Sequence, residues 1–456
     1  MAQIRQPAGA QGLRQQGRTT TAASWGNSRG GCHGSYCATA AMMPVTGRNS
    51  TFCDTHHMSV RGAIPVPPRV TGPDLPALTL TPGTAFGIYV HVPFCATRCG
   101  YCDFNTYTAS ELGDSTPDGW LTALQTELAL AADRVGGVAV DTVFVGGGTP
   151  SLLGAERLAA VLDGIRRNFP LAADAEITTE ANPESTSRGF FEGVRAAGYT
   201  RVSLGMQSAS PRVLATLDRA HSPGRAIAAA REARAAGIRN VSIDLIYGTP
   251  GESDDDLMAS LDAALTADVD HISAYALVVE EGTALARRVR RGELPPPDDD
   301  VLARRYELID QRLSAAGLGW YEVANWSLPG AACRHNLGYW NGGQWWGAGP
   351  GAHGFVGDLR WWNIKHPATY ADRLSRGQPA TAGFERLDTR ARHLEEVMLG
   401  IRLRSGLAVA VLTGPETVRA GQAVADGLLF AAGERLVLTD RGRLLADAVV
   451  RNLLDD

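Results

Sequence analysis

Cys95, Cys99 and Cys102 stand in the order C-x-x-x-C-x-x-C, three of the chain's seven cysteines within eight residues. Thiolates are soft donors that suit iron–sulfur clusters and zinc. Three of them on one short loop can ligate three irons of a 4Fe-4S cube and leave the fourth iron open to an exogenous ligand. Structural zinc wants four ligands, usually as paired C-x-x-C elements, and no second such pair exists here. Thiols this close without a metal would be a chemical liability. Cys32, Cys37, Cys53 and Cys333 are isolated and receive no ligand role.

Other residues of chemical interest recur at one kind of place. Gly146, Gly147 and Gly148 follow an apolar run, and glycine lets backbone groups approach a ligand closely. A lone glycine triplet is usually only a turn. Glu180, Gln207 and Asp244 each close a short apolar run, the position where barrel enzymes assemble their sites. His335 lies near Tyr339 and Trp340, and His353 follows in a glycine-rich stretch. A neutral imidazole beside large aromatic faces suits a porphyrin iron, although a histidine in such company is commonly a hydrogen-bonded packing residue.

These residues need a frame that brings loops together. Strand-like runs span Phe86 to Val92, Thr142 to Val145, Glu176 to Thr179, Arg201 to Met206, Asn240 to Tyr247 and His271 to Leu277. Helical spacing fills the intervals: Trp120 to Ala132, Ala155 to Asn168, Arg188 to Ala197, Pro211 to Leu217, Gly224 to Ala236 and Ser253 to Ala267. Such alternation predicts right-handed βαβ units, a parallel sheet and closure into a barrel or partial barrel. Gly198 and Gly237 sit where helix C-caps are expected. Ser253 before Asp254, Asp255 and Asp256 reads as an N-cap with dipole-complementing charge rather than a metal site.

The 456 residues allow two or three domains, or one large α/β barrel with attachments. Residues 1–85 carry seven arginines against Asp54 and Asp74, with no lasting apolar period, and are expected to be disordered. An Arg-rich leader fits a transit peptide, and a gene start placed too early, with the functional one near Met58, explains it equally well. The barrel is expected over 86–290 and an extension over 291–385. A small, mainly helical, winged-helix-like domain follows over 386–456, where Leu394, Val397, Met398 and Ile401 form an apolar stripe. The chain has 43 basic and 48 acidic residues and a net charge of −5, so nucleic acid is not an expected partner. No run approaches the ~18 apolar residues of a membrane span.

The cysteine loop after the first strand resembles the radical S-adenosylmethionine (SAM) superfamily, whose fold is a partial (β/α)6 TIM-type barrel. Further motifs are similar to the coproporphyrinogen III dehydrogenase branch. They are Tyr89-Val-His-Val-Pro-Phe-Cys95 through Phe104, Gly146 to Ser151, Thr179-Glu180-Ala-Asn182-Pro183, Gly205-Met-Gln207-Ser208 and Asp244 to Gly251. The resemblance implies that Cys95, Cys99 and Cys102 hold a 4Fe-4S cluster. It also implies that Tyr89, Gly147, Gly148, Thr149, Glu180, Gln207, Arg219 and Asp244 contact S-adenosylmethionine, with Tyr101 nearby and Ala276 on the sixth strand. In that superfamily a reduced cluster cleaves the bound sulfonium to a 5′-deoxyadenosyl radical.

The branch holds two classes, an anaerobic decarboxylase of coproporphyrinogen III and the HemW-type heme chaperones. In the decarboxylase the loop usually continues to a fourth cysteine, whereas this chain has Phe104 there, and residues 1–85 do not supply the ordered N-terminal extension of that enzyme. Cys333-Arg-His335-Asn-Leu-Gly-Tyr339-Trp340 resembles the chaperones' H-N-x-x-Y-W signature, which makes His335 the heme-related residue, with His353 and Cys333 as alternatives. The expectation is therefore a carrier with heme as cargo and heme-accepting proteins, respiratory ones among them, as partners. SAM cleavage is left open, as are peripheral membrane contact and the choice between monomer and homodimer. An oxygen-sensitive cluster points to a reducing compartment, hence the cytoplasm.

Overall fold

The computed structural model describes Val70–Thr71 and residues 75–454. The short strand β1 (Val70–Thr71) precedes the repeated unit. That unit runs β2 (Phe86–Val92), α1 (Pro117–Val135), β3 (Val140–Gly147), α2 (Gly154–Asn168), β4 (Leu171–Ala181), α3 (Arg188–Ala197), β5 (Arg201–Gln207), α4 (Pro211–Thr216), α5 (Arg225–Ala235), β6 (Asn240–Tyr247), α6 (Asp254–Leu265) and β7 (His271–Ala276). Strands β2 to β7 pair in chain order, all parallel. Helices cover one face and side chains fill the other, so all seven residues of β2 are buried and the strands read as apolar runs rather than alternations. The outer core joins Leu124 and Leu128 of α1, Val161 and Leu162 of α2, and Phe191 and Val194 of α3 to Val90, Val143 and Ile177 of the sheet.

Local chemistry fixes the ends of these elements. The Thr116 hydroxyl caps α1 by accepting from the Gly119 amide at 3.1 Å. Gly198, at φ +110°, ends α3 in a conformation that favours glycine. Ser253 and Asp256 form a reciprocal capping box at the start of α6, the role expected of that acidic run.

The rest of the chain widens the same sheet. It continues with α7 (Ala284–Arg290), α8 (Asp299–Ala315), β8 (Gly319–Glu322), β9 (Asn325–Ser327), α9 (Arg334–Trp340), β10 (Gln344–Ala348), β11 (His353–Val356), β12 (Leu359–Asn363), α10 (Pro367–Ser375) and β13 (Thr381–Arg386). β10 adds in parallel beside β2, and β9 adds antiparallel beside β7. The described sheet thus has thirteen strands in an open order from β1 to β8, a partial barrel. The segment over 291–385 supplies both of its flanks.

One expectation needs correction. The disorder expected of residues 1–85 does not hold for the described part of that segment. Leu75 is buried in the core, its carbonyl accepting from Arg134 at 2.9 Å, and the Thr81 backbone exchanges two hydrogen bonds with the Gln344 side-chain amide. Turn-rich composition hid this because the segment is held by partners distant in sequence rather than by its own periodicity. The readings that concern the remainder, including a start near Met58, lie outside the described residues.

The C-terminal unit comprises α11 (Thr389–Gly400), β14 (Leu407–Ala408), α12 (Gly414–Ala425), β15 (Leu429–Ala432), β16 (Arg435–Leu438), α13 (Asp440–Leu444) and α14 (Ala446–Leu454). Its three strands form a separate antiparallel sheet, and Val397, Ile401, Leu436, Val449 and Leu453 share a core of their own. Among the described residues no helix is long and apolar enough to cross a membrane.

Candidate functional site

The loop that leaves β2 carries Cys95, Cys99 and Cys102 over the C-terminal ends of the strands. Three backbone attachments hold it: Cys95 N–H donates to Tyr107 O at 3.0 Å, Gly100 N–H to Leu217 O at 3.0 Å, and Leu285 N–H to Gly100 O at 2.7 Å. The loop is thereby tied to its own return segment, to the end of α4 and to α7. The glycines after β3 lie directly beneath it. Gly148 N–H donates to Val92 O and Thr149 N–H to Phe94 O, both at 2.7 Å. A Cβ on Gly148 would sit 2.5 Å from Phe94 O, and Gly147 holds φ +111°. Bare backbone is therefore required here to seat the cysteine loop, besides any approach to a ligand.

A cavity of about 300 Å³ opens between the loop and the strand ends. Its walls include all three cysteines together with Tyr101, Gly147, Gly148, Thr149, Glu180, Gln207, Arg219 and Asp244, so eight of the ten residues expected to contact S-adenosylmethionine converge on it. The other two lie apart. Tyr89 is buried below, its ring stacked on Phe144 at 6.3 Å and its hydroxyl 3.0 Å from His91 Nδ1. Ala276 ends β7, one residue beyond Tyr275, which lines the wall.

The donor set suits an iron–sulfur cluster. Burial pushes the Cys102 thiol up to about 12 and raises Cys95 as well. Such thiols ionise when a metal takes the place of the proton. Arg219 Nη1 donates to Cys99 Sγ at 3.4 Å, and Thr149 Oγ1 donates to Cys95 Sγ at 3.6 Å, contacts that would stabilise ligating sulfur. Arg219 is itself fixed by Gly205 O at 3.0 Å and His221 at 3.0 Å. Among the described residues no three Cys, His, Asp or Glu side chains gather tightly enough for a single ion, whereas a cube takes one thiolate on each of three irons.

Opposite the thiols the cavity is acidic. Glu180 accepts from the Gly147 amide at 3.0 Å, and burial followed by the Asp244 charge lifts its carboxyl to about 8. Burial also lifts Asp244, to about 6, although the Ser203 hydroxyl lies 2.9 Å from each of its oxygens. Two carboxyls reluctant to carry charge become good partners for a ligand bearing an ammonium and a sulfonium. Ser203 escaped the sequence reading. Ser203, Gly205 and Gln207 of β5 all face the cavity; a bulge separates Gly205 from Gln207, but strand alternation counted back from Gly205 would have found Ser203.

His335 falls elsewhere. It sits on α9, which plugs the opposite end of the barrel, near Gly87 and Thr142 at the starts of β2 and β3. Its Nδ1 is 2.7 Å from Thr142 Oγ1, its Nε2 is 2.8 Å from Tyr339 Oη, and its ring stacks on Phe144 at 5.3 Å. Burial lowers the imidazole to about 3, so it is neutral, and both nitrogens are engaged. Hydrogen-bonded at both nitrogens, His335 packs the end of the barrel away from the cluster cavity, and its heme-related reading rests on the motif resemblance alone. Cys333 is likewise buried, its thiol donating to Glu176 at 3.5 Å, and His353 lies in β11 beside Trp362.

Residues 89–264 match the family model of the radical SAM superfamily. The chain is 68% identical over 381 residues to a heme chaperone, HemW, of Mycobacterium tuberculosis, covering 84% of this chain and 98% of that protein. HemW of Escherichia coli is 34% identical over 380 residues, covering 80% and 97%. The fold matches the radical SAM coproporphyrinogen III oxidase HemN of Escherichia coli with a TM-score of 0.72 at 22% identity, over 83% of this chain and 92% of that one. Aligned over nearly the full length of such relatives, the chain belongs to the HemW family of the radical SAM superfamily.

Proposed function

We propose that this protein binds heme and delivers it to recipient proteins, on a barrel that holds a 4Fe-4S cluster and S-adenosylmethionine. The observation that carries the reading is the 68% identity to a heme chaperone across 98% of its length. Phe104 adds support, since it lines the cluster cavity at the position where the decarboxylase class usually has a further cysteine.

In this reading Cys95, Cys99 and Cys102 ligate three irons. Glu180, with the Gly147, Gly148 and Thr149 segment, binds the amino-acid end of S-adenosylmethionine, while Asp244 and Gln207 line its path and Arg219 steadies the Cys99 sulfur. When bound, the pair supplies one-electron chemistry; the chain's own part is to hold, orient and bury it. Heme-accepting proteins are the partners, respiratory ones among them, met in the cytoplasm or at a membrane surface.

The test uses full-length protein reconstituted without oxygen and supplied with coproporphyrinogen III, a reductant and S-adenosylmethionine. The reading predicts stable heme binding and no decarboxylated product. Protoporphyrinogen formed over many turnovers would overturn it in favour of the decarboxylase.

A further inference from the structure

We propose that the tetrapyrrole cargo docks in a second cavity, between α9, β10 and β11 on one side and α11 and β14 on the other, with His393 as its iron ligand. The inference rests on the heme-carrier reading and names the site that reading lacks. This cavity measures about 670 Å³, more than twice the cluster cavity and within the ~300–1,000 Å³ typical of cofactor-sized sites. One wall is lined by Phe355, half-buried, and by Trp340 and Trp345, each 4% exposed, with the Trp345 and Phe355 ring centroids 5.5 Å apart, an apolar side for a flat macrocycle.

The opposite wall carries the ligand chemistry. His393 Nε2 lies 2.8 and 2.9 Å from the two carboxylate oxygens of Glu416. Glu416 is itself fixed by accepting from the Thr413 amide at 2.8 Å in the capping box of α12. A carboxylate that takes the proton of one ring nitrogen directs the lone pair to the other, Nδ1, the arrangement commonly found behind metal-bound histidines. His335, by contrast, has both nitrogens occupied. Arg392 is exposed next to His393 and lines the cavity, so its guanidinium can meet a propionate, whereas Arg435 on the same cavity is held by the carbonyls of Ser405 at 2.6 Å and Gly406 at 2.5 Å. Of the two carboxylates there, Glu395 is neutralised by Arg360 at 2.6 Å, and Glu396 is exposed to water.

Hemin titration of the full chain, followed by Soret absorbance, tests the site. His393→Ala should move the Soret band and raise Kd at least tenfold. Arg392→Glu should weaken hemin several-fold yet leave hemin dimethyl ester, which lacks the carboxylates, unaffected. Ala408→Trp, which fills the cavity from β14, should weaken both. Retained S-adenosylmethionine binding reports that each variant is folded. If wild type binds hemin and the His393→Ala and Ala408→Trp variants match it in Kd and Soret position, the site is wrong and the carrier reading survives. If wild type binds no hemin, both fall.

Discussion

Glu180→Gln is expected to weaken S-adenosylmethionine binding by about 2–4 kcal/mol, roughly 30- to 1,000-fold, the usual loss when one member of a buried charge pair is neutralised. The wild-type carboxyl titrates near 8, so below that pH it is protonated and must release its proton to accept the ligand's ammonium. Affinity should therefore climb as pH rises toward 8, by up to about tenfold per unit, and the protein should release protons on binding at pH 7. For stability the sign is opposite. Glu180 and Asp244 both hold protons more tightly in the fold than in the unfolded chain, so the ligand-free protein should lose stability as pH rises through their folded values of about 6 and 8. Calorimetric titration from pH 6.5 to 8.5 checks both proteins. A Glu180→Gln variant with unchanged affinity and the same pH slope would remove this residue from the binding site.

Arg201→Met should destabilise the fold by about 3–5 kcal/mol, because it leaves a buried carboxylate without its counter-ion. Arg201 is 2% exposed, donates to Glu176 at 3.1 Å, and reaches the carbonyls of Ala331 at 2.5 Å and Ala332 at 3.2 Å. Glu176 then accepts from the His335 amide at 3.0 Å. One ion pair thus pins the barrel strands to the segment that begins α9. The double variant Arg201→Met, Glu176→Gln should recover part of the loss, since no bare charge remains. Urea unfolding midpoints measure both. A single variant within 1 kcal/mol of wild type would show that the pair does not anchor the plug.

The six strands were legible because buried parallel strands are apolar runs bounded by glycine and polar turns; strand Asn240–Tyr247 and helix Arg188–Ala197 both fall where the sequence puts them. The cysteine loop was legible as local spacing, Glu180 and Gln207 as polar residues near the ends of such runs, and Asp244 as a lone acid within one. What stayed hidden depends on long-range pairing. That β10 lies beside β2 is invisible to local periodicity, and so is the hold of Gln344 on Thr81. His335 shows the same limit. Its aromatic neighbours in sequence were read correctly, but Thr142, which occupies its second nitrogen, is 193 residues away.

The most direct test takes anoxically purified protein with its cysteines intact and records iron and sulfide content, then the electron paramagnetic resonance spectrum of the reduced sample with and without S-adenosylmethionine. About four irons and four sulfides per chain, with a signal that changes shape when S-adenosylmethionine is added, are predicted for a cube with one exchangeable corner. Zinc in place of iron, no metal at all, or an iron–sulfur signal indifferent to S-adenosylmethionine would contradict the assignment of Cys95, Cys99 and Cys102.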